Sequence, residues 1–411
     1  MRKTGGSSRL EILDGFRGYF LIFMMIVHTD MDFDTLIGKL NHHSFGWVED
    51  AQGFVFISGV VVGLVYGGRL LRRGFPTCVR AVFKRIATIY SHQAGLILIF
   101  LASTLAFVTV VGPLPAGRYL APVAADPLTT TVSSLLLVSG TANMGILPMY
   151  IWFMVLTPFA LWMIHRGRGL AVLAIMVCTW ILGQTGVAGY VIGLAEQALS
   201  TPGHAVTFGI FFNLLGWQVV YFSGLFFGYL YTVGRLNLDT LRDPQWYTVF
   251  KIGVGMVVFL GILDRLVWGQ YFGPEFSAWF LEKTSRRDFT SIYLFAFMLD
   301  VFLITWLLVA GKTCTNRPVA ALAMLVEWIF TRRFLVFLGQ HSLHVFSMHM
   351  LLLYALNTSG LAETLSPALK NIVVVLSPLP LYLAAAGHAW VQQQDVRKTQ
   401  RSQAIGSQSS A

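Results

Sequence analysis

The sequence predicts an all-α, polytopic membrane protein of about 10 transmembrane helices in a single membrane domain. Two features predict this class. Of the 411 residues, 55% are hydrophobic and 12% are charged, whereas soluble proteins carry about 25% charged residues. Many windows of roughly 18–20 residues are almost free of charge, which is long enough to cross a hydrocarbon core of about 30 Å. The chain therefore has to expose apolar surface to something other than water.

Hydropathy places ten spans along the chain. The stretch 318–333 is only moderately apolar, and we expect it to lie at the membrane interface. Residues 1–391 are assigned to one transmembrane domain, and the polar residues 392–411 are expected to form a disordered cytoplasmic tail. The predicted spans lie near 15–32, 47–67, 84–111, 147–165, 169–186, 210–232, 247–270, 289–310, 335–357 and 371–391.

The distribution of lysine and arginine predicts the orientation. With the N-terminus inside, 20 of the 29 basic residues lie in cytoplasmic segments, six lie in outward loops and three lie within spans. This asymmetry favours both termini in the cytoplasm. Because topology accounts for most of the net charge of +10, the charge does not indicate nucleic-acid binding. Three cysteines without a CxxC pair indicate neither a disulfide framework nor a zinc site.

The first span, LDGFRGYFLIFMMIVHTD (13–30), carries three ionisable residues in an apolar run. Arg17 and His28 are eleven residues apart, so on a helix they lie about 20° apart on one face and about 16 Å apart along the axis. Asp14 falls within about 60° of both. Such a stripe is expected to face the bundle interior or a water-filled cavity. Asp14 and Arg17 also fit an interfacial position, where Asp14 would cap the helix.

A dense group of basic residues follows the second span. It is a strong topology anchor, and it also suits a polyanionic ligand such as a nucleotide or coenzyme A, because Arg and Lys bind phosphate. Ser58 and Gly59 open a glycine-spaced helix that is able to pack closely. The candidate donor-binding residues are Arg72, Arg73, Lys84, Arg85, Tyr90 and His92.

The segment FLGQHSLHVFSMHM (337–350) brings Gln340, His341 and His344 within one helical turn, while His349 points about 80° away from His341. Three histidines over such an arc make a poor ligand set, so no metal is expected. These side chains suit either hydrogen bonding within the bundle or substrate contact. The amides of Asn213 and Gln218, in FFNLLGWQ (211–218), either cap helices or contact substrate.

The residues alone leave two functional classes open. No motif of a soluble hydrolase, nucleotide-binding protein or dinucleotide-binding protein is present in a suitable context. An intramembrane Arg and His, together with the basic residues at the cytoplasmic end of the second span, fit an enzyme that uses histidine as a base. They also fit a proton-coupled transporter or flippase.

The motifs LDGFRG, FVFISG, LPMYI, FFNLLGWQ and FLGQHSLHVF, with Lys84-Arg85 and Tyr90-x-His92, resemble in order the OpgC-type family. This family comprises succinyltransferases of osmoregulated periplasmic glucans, within the acyltransferase-3 superfamily. The likeness runs from about residue 10 to 357. The spacing of Arg17 and His28 looks like the superfamily's first-helix signature. The Arg-x-Arg motif of the third span is absent, and Lys84-Arg85 occupies about that place.

The resemblance implies transfer of an acyl group, with succinyl expected, from cytosolic acyl-CoA to a hydroxyl of a periplasmic glucan. It also implies the bacterial inner membrane, no bound cofactor and no nucleic-acid partner. The predicted catalytic residues are His28 as general base, Asp14 as a helper, and Arg17, which together with Lys84-Arg85 would hold the CoA phosphates or a succinyl carboxylate. The predicted acceptor pocket comprises Ser58, Asn213, Gln218, Gln340, His341 and His344. Another cell-envelope polysaccharide is the alternative acceptor, and direct transfer and an acyl-histidine intermediate both remain open.

Overall fold

The structure is a computed structural model that describes residues 5–38, 46–115, 117–139, 143–201, 206–209 and 211–408. These residues are predominantly helical and contain no strand. The helices are α1 (Gly5–Phe33), α2 (Asp50–Arg73), α3 (Phe75–Val110), α4 (Ala121–Ala125), α5 (Pro127–Leu135), α6 (Ile146–His165), α7 (Gly169–Gly183), α8 (Val187–Leu199), α9 (Leu214–Thr232), α10 (Pro244–Trp268), α11 (Pro274–Lys283), α12 (Ser291–Val309), α13 (Arg317–Phe330), α14 (Arg333–Gln340), α15 (Ser342–Ser359), α16 (Leu361–Thr364), α17 (Pro367–Leu376) and α18 (Leu379–Gln408).

Within the described residues, eight helical segments are long and apolar enough to cross a membrane. Two bent helix pairs, α7 with α8 and α14 with α15, raise the number to ten if each pair is one span. The ten predicted spans correspond in order to these segments and pairs. The prediction of an all-α polytopic membrane protein is confirmed.

Two segments differ from their predicted form. The ninth predicted span, 335–357, is bent by 87° between α14 and α15, with His341 at φ −103° and ψ 22°. Hydropathy is insensitive to this bend because both arms are apolar. The predicted disordered tail instead continues helix α18 as far as Gln408. Its Gln, Arg, Lys and Ala residues have high helix propensity, and extending an existing helix needs no new nucleus. Residues 1–4 and 409–411 lie outside the described residues.

Helix α13 lies where an interfacial helix was predicted. Its 14 residues span about 21 Å, which is shorter than the hydrocarbon core of about 30 Å. Its Ala323 packs with Phe250 of α10 and Trp306 of α12. Placement of this helix at the membrane surface stays a prediction.

The chain divides into two compact units. The terminal unit contains residues 5–38 and 330–408, and the central unit contains the described residues from 46 to 329. Large apolar side chains remain exposed in the central unit, such as Val110 at 85% and Leu170 at 83%. Membrane hydrocarbon is the environment that suits such surface. The prediction of a single membrane domain stays a prediction.

Helices α2 and α9 of the central unit pack through glycines on both sides. A Cβ on Gly59 would overlap the carbonyl oxygen of Tyr221, and one on Gly224 would overlap that of Phe56. Gly63 and Gly228 repeat this arrangement one turn further along each helix. Both helices therefore carry a GxxxG pattern, which lets backbones approach closely where packing rather than hydrophobic burial drives association.

We predict that Gly59→Ala destabilises the protein. The added methyl group has to displace the backbone of α9, which costs about 1–3 kcal/mol for an overpacked site. Thermal unfolding of the detergent-solubilised protein measures the effect as a lower Tm. Gly255→Ala on α10 is the matched control, because a Cβ there meets no atom within 4 Å. Equal Tm values for the two variants would contradict the packing described.

Candidate active site

The site in the terminal unit depends on a close approach of α1 to α14. A Cβ on Gly15 would overlap the carbonyl oxygen of Phe330, and one on Gly18 would overlap that of Leu335. The contact is reciprocal, because a Cβ on Gly339 of α14 would overlap the carbonyl oxygen of Asp14. The glycines of LDGFRG and FLGQ thus meet in one interface.

This approach brings the polar side chains beside those glycines together. Asp14 accepts a hydrogen bond from the side chain of Gln340. The Arg17 guanidinium donates from Nη2 to Oγ of Ser342, and its Nη1 lies 3.6 Å from Oδ1 of Asp14. The charged groups of the first span are therefore held by each other and by the residues on either side of the bend at His341.

His28 contacts a second histidine further along α15. Its Nδ1 lies 3.1 Å from Nε2 of His349, and the two rings are stacked with centroids 5.1 Å apart and planes 17° apart. His349 is 0% exposed, whereas His28 is half-buried. Which of the two rings donates in this contact depends on the tautomers of the histidines.

Arg17 and His28 contact the same helix, which agrees with their shared face on α1. On α15, Ser342 and His349 are seven residues apart, so they also share a face, about 10 Å apart along the axis. The corresponding distance on α1 is about 16 Å, and the long Arg17 side chain covers the difference. Further along, Nδ2 of Asn357 donates to Oδ2 of Asp32 over 3.1 Å.

Three other histidines form a separate cluster in the terminal unit. Nδ1 of His341 lies 2.8 Å from Nδ1 of His388 on α18, and the rings of His344 and His388 stack with centroids 3.5 Å apart. Gln392 also contacts His388, at 3.2 Å. Among the described residues, no group of three or more His, Cys, Asp or Glu side chains is arranged to hold a metal ion.

The predicted donor-binding residues lie at the end of α2 and along α3, in the central unit. Arg72, Arg73 and Lys84 are exposed. Arg85 lies near Tyr66, as does Arg69, whose guanidinium is 5.7 Å from the Tyr66 ring centroid.

Two further donor candidates, Tyr90 and His92, follow on α3, about one and a half to two turns beyond Lys84 and Arg85. Tyr90 donates its hydroxyl hydrogen bond to the carbonyl of Leu135 over 3.1 Å. His92 is half-buried.

The remaining predicted pocket residues are also in the central unit. Ser58 is buried beside the glycine interface of α2. Asn213 accepts from the backbone of Leu215, as a helix cap does, and donates to Gly183 and Asp288. Gln218 donates to the carbonyl of Met176 over 2.7 Å. The two amides thus link neighbouring segments, which matches the capping and packing alternative.

Sequence reasoning missed two candidates in the terminal unit, His349 and His388. The spacing of His349 from Ser342 could have revealed it, because seven residues on a helix return to the same face. An ionisable residue in an apolar span is also a functional candidate by default. His388 stands alone in its span, and no spacing in the sequence links it to His341.

These helices define a multi-pass, all-α membrane protein, and the contact of His28 with the buried His349 places ionisable groups inside its first span. A model of the OpgC protein family matches residues 9–393, nearly the whole chain. The chain belongs to this family, and the resemblance noted in the sequence is confirmed. Membership implies an acyltransferase that modifies a glucan. Searches among curated proteins and among solved structures give no match.

We predict that Ser342→Ala destabilises the terminal unit. The substitution removes an acceptor of the Arg17 guanidinium, and a hydrogen bond to a charged group contributes about 1.5–3 kcal/mol. Thermal unfolding in detergent should show a lower Tm. Ser359→Ala, on the same helix, is the control, because its exposed hydroxyl bonds to nearby backbone groups, the carbonyl of Leu356 and the N–H of Leu361. An unchanged Tm for Ser342→Ala would show that Arg17 does not need this partner.

Proposed function

We propose that the protein transfers an acyl group, with succinyl the first candidate, from cytosolic acyl-CoA to a hydroxyl of a periplasmic glucan. It would act in the bacterial inner membrane with both termini in the cytoplasm. The observation that carries the proposal is the contact of His28, in the first span, with His349 of α15, in a chain that belongs to a family of glucan-modifying acyltransferases. Histidine suits proton transfer near neutral pH.

In the proposed reaction, His28 acts as general base. Its Nε2 takes the proton of an acceptor hydroxyl while the hydroxyl oxygen attacks the thioester carbonyl carbon of the donor. The carbon–sulfur bond then breaks, and the leaving thiolate receives the proton from His28. The products are a glucan ester and the free thiol of coenzyme A, and His28 returns to its neutral state. Positioned proton transfer of this kind typically contributes about 10²–10⁴-fold to the rate.

Arg17 and Asp14 support this chemistry by fixing α1 against its neighbours. Arg17 has Asp14 and Ser342 as partners, and Asp14 also has Gln340. On the rise of a helix, Asp14 lies about 21 Å from His28 along α1, so it does not orient the base directly. We assign both residues the role of holding α1 at its position along α14 and α15.

The donor phosphates are assigned to the basic end of α2 and start of α3. Several exposed cations lie there within a short stretch of chain, and guanidinium groups bind phosphate through paired, charge-assisted hydrogen bonds. Arg69 and Arg85 around Tyr66 make the best-defined part of this surface.

We predict that His28→Ala lowers acyl transfer about 10²–10⁴-fold without preventing folding, because it removes the general base. Purified protein is incubated with glucan and with succinyl-CoA or acetyl-CoA, and both thiol release and glucan mass are measured. Periplasmic glucans from a deletion strain complemented with each variant give the same comparison in cells.

His165→Ala is the matched control for this experiment. His165 also makes a side-chain hydrogen bond, to the Tyr229 hydroxyl at 3.0 Å, but it belongs to the central unit, and its variant should keep wild-type activity. Full acylation by His28→Ala would refute the assignment of the base. Proton-coupled solute flux without acylation in the wild type would instead support a transporter.

We predict that Arg85→Gln raises KM for acyl-CoA about 10-fold or more with little change in kcat, because a charge-assisted bond to phosphate is worth about 1.5–3 kcal/mol. The wild-type KM should also rise with ionic strength. Arg166→Gln is the control, because Arg166 is an exposed arginine that lies over Trp162, with its guanidinium 5.6 Å from the ring. Equal KM values for both variants would place donor binding elsewhere.

A further inference from the structure

His349 is a fully buried imidazole in an otherwise apolar part of α15. The exposed fraction of His349 is 0%, and its neighbours Val345, Met350 and Leu353 are also buried at 0%. Its Nδ1 has no hydrogen-bond partner among the described residues, so Nε2, through His28, supplies the ring's hydrogen bond. A residue that served packing alone would be apolar here, because an unsatisfied buried nitrogen is a cost.

The direction of the hydrogen bond between the two rings decides whether His28 can act. If Nε2–H of His349 donates to Nδ1 of His28, then neutral His28 carries its proton on Nε2 and cannot accept another there. If Nδ1–H of His28 donates to Nε2 of His349, then Nε2 of neutral His28 carries a lone pair and is the ring nitrogen that can accept a proton. Once His28 has taken the substrate proton, its Nδ1–H also needs an acceptor, and Nε2 of His349 provides one throughout the reaction.

We propose that His349 is the positioning residue of the site: through its Nε2 it accepts the Nδ1–H of His28 and so holds His28 with Nε2 ready to take the proton of the acceptor hydroxyl. The inference rests on the proposed function, in which His28 is the base. The proton on Nδ1 of His28 stays on that nitrogen, and the transferred proton enters and leaves through Nε2. An orienting partner of this kind fixes both the tautomer and the ring plane of a catalytic histidine.

The surrounding contacts hold the two rings in this arrangement. On the same pair of helices, Arg17 bonds to Ser342 on one side of the histidines, and Asp32 bonds to Asn357 on the other. The Phe346 ring lies edge-on to His349, with centroids 5.7 Å apart. Along the two helices, the histidine pair therefore lies between two other side-chain pairs, which fix the helices against each other on both sides of it.

Three substitutions of His349 test whether the site needs a hydrogen-bond acceptor at this position or only a side chain of similar size. His349→Gln can place its amide oxygen near the position of Nε2, His349→Asn is one methylene shorter, and His349→Phe keeps a ring without an acceptor. We expect kcat for acyl transfer to fall about 10²-fold or more in the Phe and Asn variants, with KM for donor and glucan within about 3-fold of wild type. The Gln variant should remain within about 10-fold of the wild-type kcat.

Nitrogen-15 NMR of histidine-labelled protein in detergent provides a readout that does not depend on acylation. The His28 signals are assigned by their absence in His28→Gln, and their chemical shifts report which ring nitrogen carries the proton. We expect the Nδ1–H tautomer in the wild type and in His349→Gln, and a mixture of tautomers in His349→Phe. Thermal unfolding checks that each variant folds.

A wild-type kcat in His349→Phe, or an Nε2–H tautomer of His28 in the wild type, would overturn the proposal. So would equal losses in the Gln and Asn variants, because they would indicate a requirement for shape and not for an acceptor. A wild type that transfers no acyl group from any donor would refute the proposed function instead. The NMR result would then still decide the direction of the hydrogen bond.

Discussion

The close approach of α1 to α14 is the contact on which the terminal unit depends. Glycines at 15, 18 and 339 leave room for opposing backbone carbonyls, and where lipid competes with packing on equal terms, such small residues allow helices to associate. The same approach brings Arg17 to Ser342, so a guanidinium that would be costly in hydrocarbon obtains partners. Backbone packing and polar pairing are therefore made by the same approach of the helices.

Much of the fold could be predicted from the composition and hydropathy of the sequence, because each membrane span is a continuous run of apolar residues. The ten spans, from the first at 15–32 to the last at 371–391, follow from this and agree with the structure. The bend at His341 could not be predicted in this way, since it leaves the apolar content of 335–357 unchanged. The helical course of 392–408 was also missed, because polar composition predicts disorder only when no helix precedes it.

The candidate site was half predictable for a similar reason. Helical period places Arg17 and His28 on one face, and both contact α15 in the structure. Their partners could not be derived, because a separation of 321 residues between His28 and His349 leaves no local pattern. Treating 337–350 as one straight helix drew attention to His341 and His344 and away from His349, which the bend places beside His28. Asn213 and Gln218 bond to backbone carbonyls, as capping or packing amides do, and their contact with the acceptor stays a prediction.

The terminal unit combines two segments that are far apart in the sequence, and this has a consequence for biosynthesis. A ribosome that adds about 5–20 residues per second needs roughly 16–64 s to synthesise the 321 residues that separate the two histidines. During that time α1 has entered the membrane with Asp14, Arg17 and His28, while Gln340, Ser342 and His349 do not yet exist. The polar stripe must then be accommodated by the insertion machinery, by water or by lipid headgroups. The ionisable residues proposed for the chemistry therefore also make it energetically costly to hold α1 in the bilayer before its partner helices are synthesised.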